Sequence, residues 1–441
     1  MPSPKRAWQW LLEKEWRELI SSRAFWVMLF FTGPLVGVSF ISAVNTYAEL
    51  SGLNGTAAGV GEAFSPLIGV FGPTFSAYEI IAAFLLPFVA IKVVSADRQS
   101  GALKLELQQP LSAMVRIGLK ASVLLAGWVI ASSGALAALG LWTLYGGPIH
   151  WPEILAVALG HLLNAGLTIA LAAAAASLAE HPATAAILTL AFTVGTWVIS
   201  FVAAVQGGFW ERLAGYTPPV MVASFQHGLV QADVVLIVLI LMGASLAFAA
   251  VWMRLGVTVK QRAIESFAVI GVAAIAMSAA SFVHLNRDAS ENRYNSFSIA
   301  DEQTLERIRK PLAIEVHLAP EDPRRYDLDR NVLTKLRRVL KDVTVHYVSS
   351  TSTGLFEQTA DHYGEIWYQL GDQKAVSRET TAEGALENIF ALAALTPPPE
   401  SGPVFRGHPL AARPKGAAPL FYILWPTLVL SAGFLVFRRP K

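Results

Sequence analysis

The chain contains no cysteine among its 441 residues. Disulfide staples, thiol nucleophiles and thiolate metal ligands are therefore excluded together, and cysteine usage says nothing about the redox compartment. Charge is scarce as well: 15% of residues are Asp, Glu, Lys or Arg against 54% hydrophobic, and a formal net charge of +2 is too small to mark a nucleic-acid partner. There is no G-x-x-x-x-G-K-[ST] loop to cradle nucleotide phosphates, no H-E-x-x-H pair for zinc and no G-x-S-x-G nucleophile elbow. No catalytic residue, cofactor site or metal site of its own is expected. What remains is apolar, with a mean hydropathy of +0.48, more than a water-soluble core of ordinary size can hide. The composition predicts a polytopic α-helical membrane protein.

A helix needs about 20 mostly apolar residues to cross the hydrocarbon. Eight segments qualify: Phe25 to Val44, Tyr78 to Val94, Ala121 to Tyr145, Ile154 to Leu178, Ala183 to Val205, Val234 to Met253, Phe267 to Leu285 and Leu420 to Phe437. Lysine and arginine gather before the first span (Lys5, Arg6, Lys14, Arg17, Arg23), after the second (Arg98, Lys104, Arg116, Lys120), after the sixth (Arg254, Lys260, Arg262) and after the last. The intervening loops have almost none. By the positive-inside rule both termini face the cytoplasm, and the polar block 286–417 faces the far side.

The stretch before the first span, residues 1–23, carries no small-residue cleavage site and reads as an amphipathic helix lying on the cytoplasmic leaflet, in contact with membrane lipid. Its apolar stripe is Trp8, Leu11, Leu12, Trp16, Leu19 and Ile20, with Glu13, Lys14 and Arg17 opposite. Block 286–417 reads as a small α/β domain: "AIEVHL" and "VTVHYV" alternate as strands do, and a helical pattern lies between them, which implies a parallel pair. Ser298 and Asp301 are spaced as a capping box.

Within the membrane, His161 and Asn164 lie one helical turn apart in the fourth span. They form a candidate substrate contact, or else a hydrogen-bonded tie between spans. Lys92 reads as a snorkelling anchor, and Glu79 and Asp233 as residues at the outer ends of their spans. The most polar interruption is "SADRQSGALKLELQQPLSAMVRIGLK". In it Asp97 and Arg98 extend the second span, Gly101 permits a bend, Leu103, Leu105 and Leu107 carry an apolar ridge, and Pro110 ends the helix. A short helix with an apolar ridge and a charged rim fits the groove of another protein.

That stretch, with "PFVAIKVV" before it, resembles the signature of ABC-2 type transporter permeases: Asp97 stands for the acidic residue, and Gly101, Leu105, Pro110, Ser112 and Lys120 match. Ala102 replaces the usual threonine, and Gln108 and Gln109 interrupt the leucine run. "SFQHGLVQADVVL" is similar to the stretch before the sixth span in the gliding-motility branch, and "NRYNSFSIADEQTLERIRKPLAIEVHLAP" resembles the start of the gliding-motility auxiliary protein, here fused and truncated. The resemblance implies a six-span ABC-2, type V exporter-like permease at 24–256, a connecting helix before it, a seventh helix at 257–285, and an eighth helix with a basic tail at 418–441. It implies a coupling helix at Asp97 to Pro110 seated in a separate ATPase subunit that binds ATP and Mg, a second permease copy, and a bacterial inner-membrane location with 286–417 in the periplasm. That domain would gate the exit, bind a periplasmic or outer-membrane partner, or transmit force to one. Two rivals share part of the pattern: a mechanotransmitting envelope scaffold without cargo, and a secondary transporter.

Overall fold

The computed structural model describes residues 4–52, 65–101, 110–206, 209–254, 256–319, 322–348, 362–399, 407, 408, 410 and 413–438. They form two compact units, Met1–Ala289 with Arg406–Lys441, and Ser290–Phe405.

The first unit is a polytopic helical membrane protein. An amphipathic helix, Pro4–Ser21, precedes helices that are long and apolar enough to cross a membrane: Arg23–Ser51, Leu67–Ser95, Ala113–Leu144, Trp151–Leu178, Pro182–Ala203, Ala232–Trp252, Val259–Ala280 and Ala417–Arg438. The fourth span is the most buried, and its composition explains why. Ala165, Ala170, Ala172, Ala173 and Ala176 let neighbouring backbones come close, as small residues do between helices in lipid. Gly160 makes room for Phe225, whose Cβ would lie 2.4 Å from any added methyl group.

The first span carries Gly33 and Gly37 four residues apart, and the eighth span fills that groove: Trp425 lies over Gly33 and Phe421 over Gly37. The Trp425 indole donates to the Leu29 carbonyl at 2.9 Å, one turn before Pro34. The second span starts eleven residues before the expected Tyr78, as a π turn Leu67–Phe71 leading into Gly72–Ser100. Pro73 does not break it: it lies where the hydrogen-bond register changes from the π turn to the α-helix, and the helix continues through it. Glu79 therefore lies two turns inside the helix, not at its outer end. The seventh span likewise starts early, at Val259, with Lys260, Arg262 and Glu265 already helical. Two short helices, Phe209–Ala214 and Pro218–Gln226, link the fifth span to the sixth, and Met221, Val222 and Phe225 are buried against Leu163 and Leu167.

The two ends of this bundle differ in character. At one end lie the Pro4–Ser21 helix, the close of the second span at Asp97 and the start of the third. At the other, β1 (Leu229–Gln231) pairs antiparallel with β2 (Asn286–Asp288), and Ala289 N donates to Gly228 O at 2.8 Å. At that second end the Tyr47 hydroxyl donates to His408 O and the Tyr145 hydroxyl to Lys415 O, each at 2.9 Å. The chain therefore leaves and re-enters the first unit at the end away from the amphipathic helix.

The second unit is an α/β fold with strand order β4-β3-β5-β6. β3 (Leu312–Val316) and β4 (Val343–Tyr347) are parallel, as the strand, helix, strand order requires, while β5 (Ile366–Leu370) and β6 (Gln373–Ser377) extend the sheet antiparallel. Leu312, Ile314 and Val316 point to one face and are fully buried with Leu328, Val332, Leu336, Ile366, Tyr368 and Ile389. The crossover comprises Pro323–Leu328, a π turn Asp329–Leu333 and Thr334–Val339, and Ala382–Leu392 adds to the cover. Ser298 caps Ile299–Leu305 by accepting from Asp301 N at 3.1 Å.

Candidate functional site

Two polar constellations stand out in the helical unit. The first lies where the amphipathic helix crosses the second and third spans. Ala7, Leu11, Glu15 and Leu19, spaced every four residues, form the buried stripe of Pro4–Ser21, so a carboxylate is carried inward on an apolar face. Leu19 packs on Gly127, where an added Cβ would meet its Cδ2 at 2.7 Å. The Trp26 indole donates to Ile20 O at 2.7 Å and fixes the elbow into the first span. Trp8 is exposed, and Leu12 and Trp16 are half-buried, so the aromatic stripe faces partly outward while the neighbouring stripe packs.

The Lys120 ammonium, 0% exposed, lies 2.5 Å from Glu15 Oε1 and also donates to Asp97. Lys14 donates to the other oxygen of Asp97 and sits 3.1 Å from Glu18. Three carboxylates thus meet two ammonium groups from three helices. Burial pushes the Glu15 and Glu18 carboxyls above the ordinary range, offset in part by Lys120 and Lys14. Burial also works against the Asp97 carboxylate, but Lys120 and Lys14 outweigh it and hold Asp97 below its ordinary range. Oxygens of Glu15, Glu18 and Asp97 lie within 4.8 Å of one another, the single such group among the described residues. Because both ammonium groups already lie on those oxygens, the donor set fits an ion cluster and not a metal centre.

Asp97, 1% exposed, is an internal tie at the start of the expected coupling segment, because the third span supplies Lys120 directly opposite it. Gly101 closes the second-span helix in the left-handed conformation, φ +74°, which a side chain adopts only at a cost. Pro110 is exposed, and Ser112 caps the third span by accepting from Val115 N at 3.2 Å. Leu103, Leu105 and Leu107 and the Arg98 side chain lie outside the described residues.

The second constellation is in the apolar part of the bundle. Glu79 of the second span accepts from His161 Nδ1 at 2.8 Å and from Asn164 Nδ2. Gln226 Nε2 donates to His161 Nε2 at 3.2 Å, which leaves the ring hydrogen on Nδ1 facing Glu79, and Ser76 Oγ donates to Gln226 Oε1 at 3.2 Å. His161 and Asn164 thus tie the fourth span to the second. The partner that sequence reasoning missed is Glu79, eighty-two residues away from His161 in the chain. A cavity of about 290 Å³ opens beside this network, lined by Asn164, Glu79 and residues of the fifth span.

No family model, curated protein or solved structure matches this chain.

Proposed function

We propose that this chain is the membrane-spanning permease subunit of an ATP-driven ABC transporter, coupling ATP hydrolysis in a separate nucleotide-binding subunit to movement of a substrate across the membrane. The observation that carries this reading is the ion cluster at Glu15, Asp97 and Lys120. It ties the amphipathic helix to both helices that flank residues 102–109, the segment whose sequence resembles the permease coupling stretch. A displacement applied to that segment by a closing ATPase would pass through a buried, charge-locked joint to the second and third spans together, which is what a rigid lever requires.

The bundle's two unlike ends support the same reading. Arg254, just after the sixth span, pairs with Glu265 of the seventh at 2.6 Å, and Lys260 and Arg262 beside it keep this cytoplasm-assigned side positive. The proposal assigns the cluster to the ATPase side and 286–417 to the periplasm, in a bacterial inner membrane, with two permease copies per complex.

Co-purification of the chain with an ABC-type ATPase subunit tests the assignment. Gly101→Asp or Leu105→Asp is expected to abolish that association and the ATPase stimulation that depends on it. Unchanged association and activity in both variants would overturn the coupling role, and reporter fusions placing Gly101 and Ser350 in one compartment would overturn the topology.

A further inference from the structure

The cavity beside Glu79 has a chemistry that selects its occupant. Among its described lining residues Glu79 is the single ionisable one, and no ammonium or guanidinium group faces it. His161 Nδ1 and Asn164 Nδ2 each meet one of its carboxylate oxygens, and Gln226 Nε2 meets His161 Nε2 at 3.2 Å. A carboxylate with no lysine or arginine beside it is thus the polar focus of an otherwise largely apolar wall. A negative charge among apolar side chains at membrane depth calls for a cation.

The rest of the wall points to what kind of cation. The hydroxyls of Thr189, Thr193 and Thr196 donate to carbonyls of their own helix, Ala185 O, Thr189 O and Thr193 O. Ser76 likewise gives its hydrogen to Gln226. These oxygens therefore face the cavity as acceptors, complementary to a ligand that carries N–H donors. Trp197 and Phe192 supply aromatic walls, suited to a cation or an apolar body. Ile80, Phe192 and Trp197 are all substantially exposed on the outside of the bundle, so the mouth lies on an apolar, lipid-type surface.

We infer that this cavity binds a protonated amine with an apolar body, the ammonium on Glu79 and the body between the second and fifth spans. The binding site stands on this chain alone. Only calling the ligand cargo rests on the transport reading, and the test needs no ATPase.

The full chain in lipid nanodiscs is titrated with 4-phenylbutylamine, 4-phenylbutan-1-ol, 4-phenylbutanoate and 4-phenylbutyltrimethylammonium. The amine is expected to bind at least tenfold more tightly than the alcohol, the trimethylated cation to fall between them, and the carboxylate not to bind. Glu79→Gln is expected to erase the preference for the amine over the alcohol. As a check that needs no variant, a hydrophobic carbodiimide should label Glu79 in the native protein, located by peptide mass, and the amine should protect it. Equal binding of amine, alcohol and carboxylate, amine preference persisting in Glu79→Gln, or labelling of Glu79 unaffected by saturating amine would each overturn the inference. Proton uptake at Glu79 without amine binding would assign the site to a proton relay and overturn it as well.

Discussion

Lys120 is the member of the ion cluster whose removal is most informative. Its ammonium is fully buried and serves both Glu15, at 2.5 Å, and Asp97. Lys120→Met retains the bulk of the side chain but leaves two buried carboxylates with Lys14 as their remaining cation, and Lys14 is itself partly exposed. Breaking a buried pair by removing one partner costs about 3–5 kcal/mol. At about 1.4 kcal/mol per tenfold, docking of the amphipathic helix should weaken by roughly two to three and a half orders of magnitude. Amide hydrogen exchange over Leu11–Leu19 reads this directly, since those amides are protected only while the helix is intact against the spans. The triple variant Lys120→Met, Asp97→Leu, Glu15→Leu should recover much of the protection, because replacing a whole buried ion set by apolar groups is often close to neutral. Exchange in Lys120→Met at the wild-type rate, or a triple variant no better than the single, would refute the view that the cluster holds the helix.

Acidification should act on the same helix in two stages. Glu15 and Glu18 are raised, so their ionised forms oppose docking at neutral pH and that opposition lessens as pH falls toward their ordinary value of 4.5. Asp97 is lowered, so its contribution is fully present above its ordinary 3.8 and is lost as pH drops below that. Protection of Leu11–Leu19, corrected for intrinsic exchange rates, should therefore rise on moving from pH 7 to 4.5 and then fall. Gly37→Ala would place a Cβ 2.4 Å from that of Phe421, an overpacking worth about 1–3 kcal/mol, and should raise proteolysis near Lys415 as the eighth span loosens. Gly101→Ala, forced to φ +74°, should lower the melting temperature by a cost of about 1–2 kcal/mol, and Gly101→Asn by less. Ser112→Ala should remove the cap on Val115 N and cost about 1 kcal/mol, measured by thermal unfolding of the detergent-solubilised chain.

The number and approximate placement of the spans were legible because hydropathy over a helix-length window is a strong signal, and the βαβ order in 313–348 was legible from alternation. The ends of the spans were less so. Pro66, Gly69, Gly72 and Pro73 look like breakers in "SPLIGVFGPTF", yet a π turn and a proline in the first turn of the α-helix keep that stretch helical. The same misplacement concealed Glu79 as the partner of His161 and Asn164: assigned to a span end, it had no reason to meet the fourth span. Glu15 was concealed differently. Counting apolar residues gave one broad stripe, Trp8, Leu11, Leu12, Trp16, Leu19 and Ile20, assigned to the leaflet, whereas the residues that pack into the protein are Ala7, Leu11, Glu15 and Leu19 and include a carboxylate. Its position four residues after Leu11 and four before Leu19 was the available clue. What no local pattern could supply was Lys120, twenty-three residues beyond Asp97 and a hundred and five from Glu15.

The groove at Gly33 and Gly37 sets an order of events during biosynthesis. The first span enters the bilayer early, yet the tryptophan that seals it arrives 396 residues after Leu29. Until then a small-residue seam stays open to lipid or to whatever insertase escorts the nascent chain, and ribosomes stalled before the eighth span would leave it unsealed.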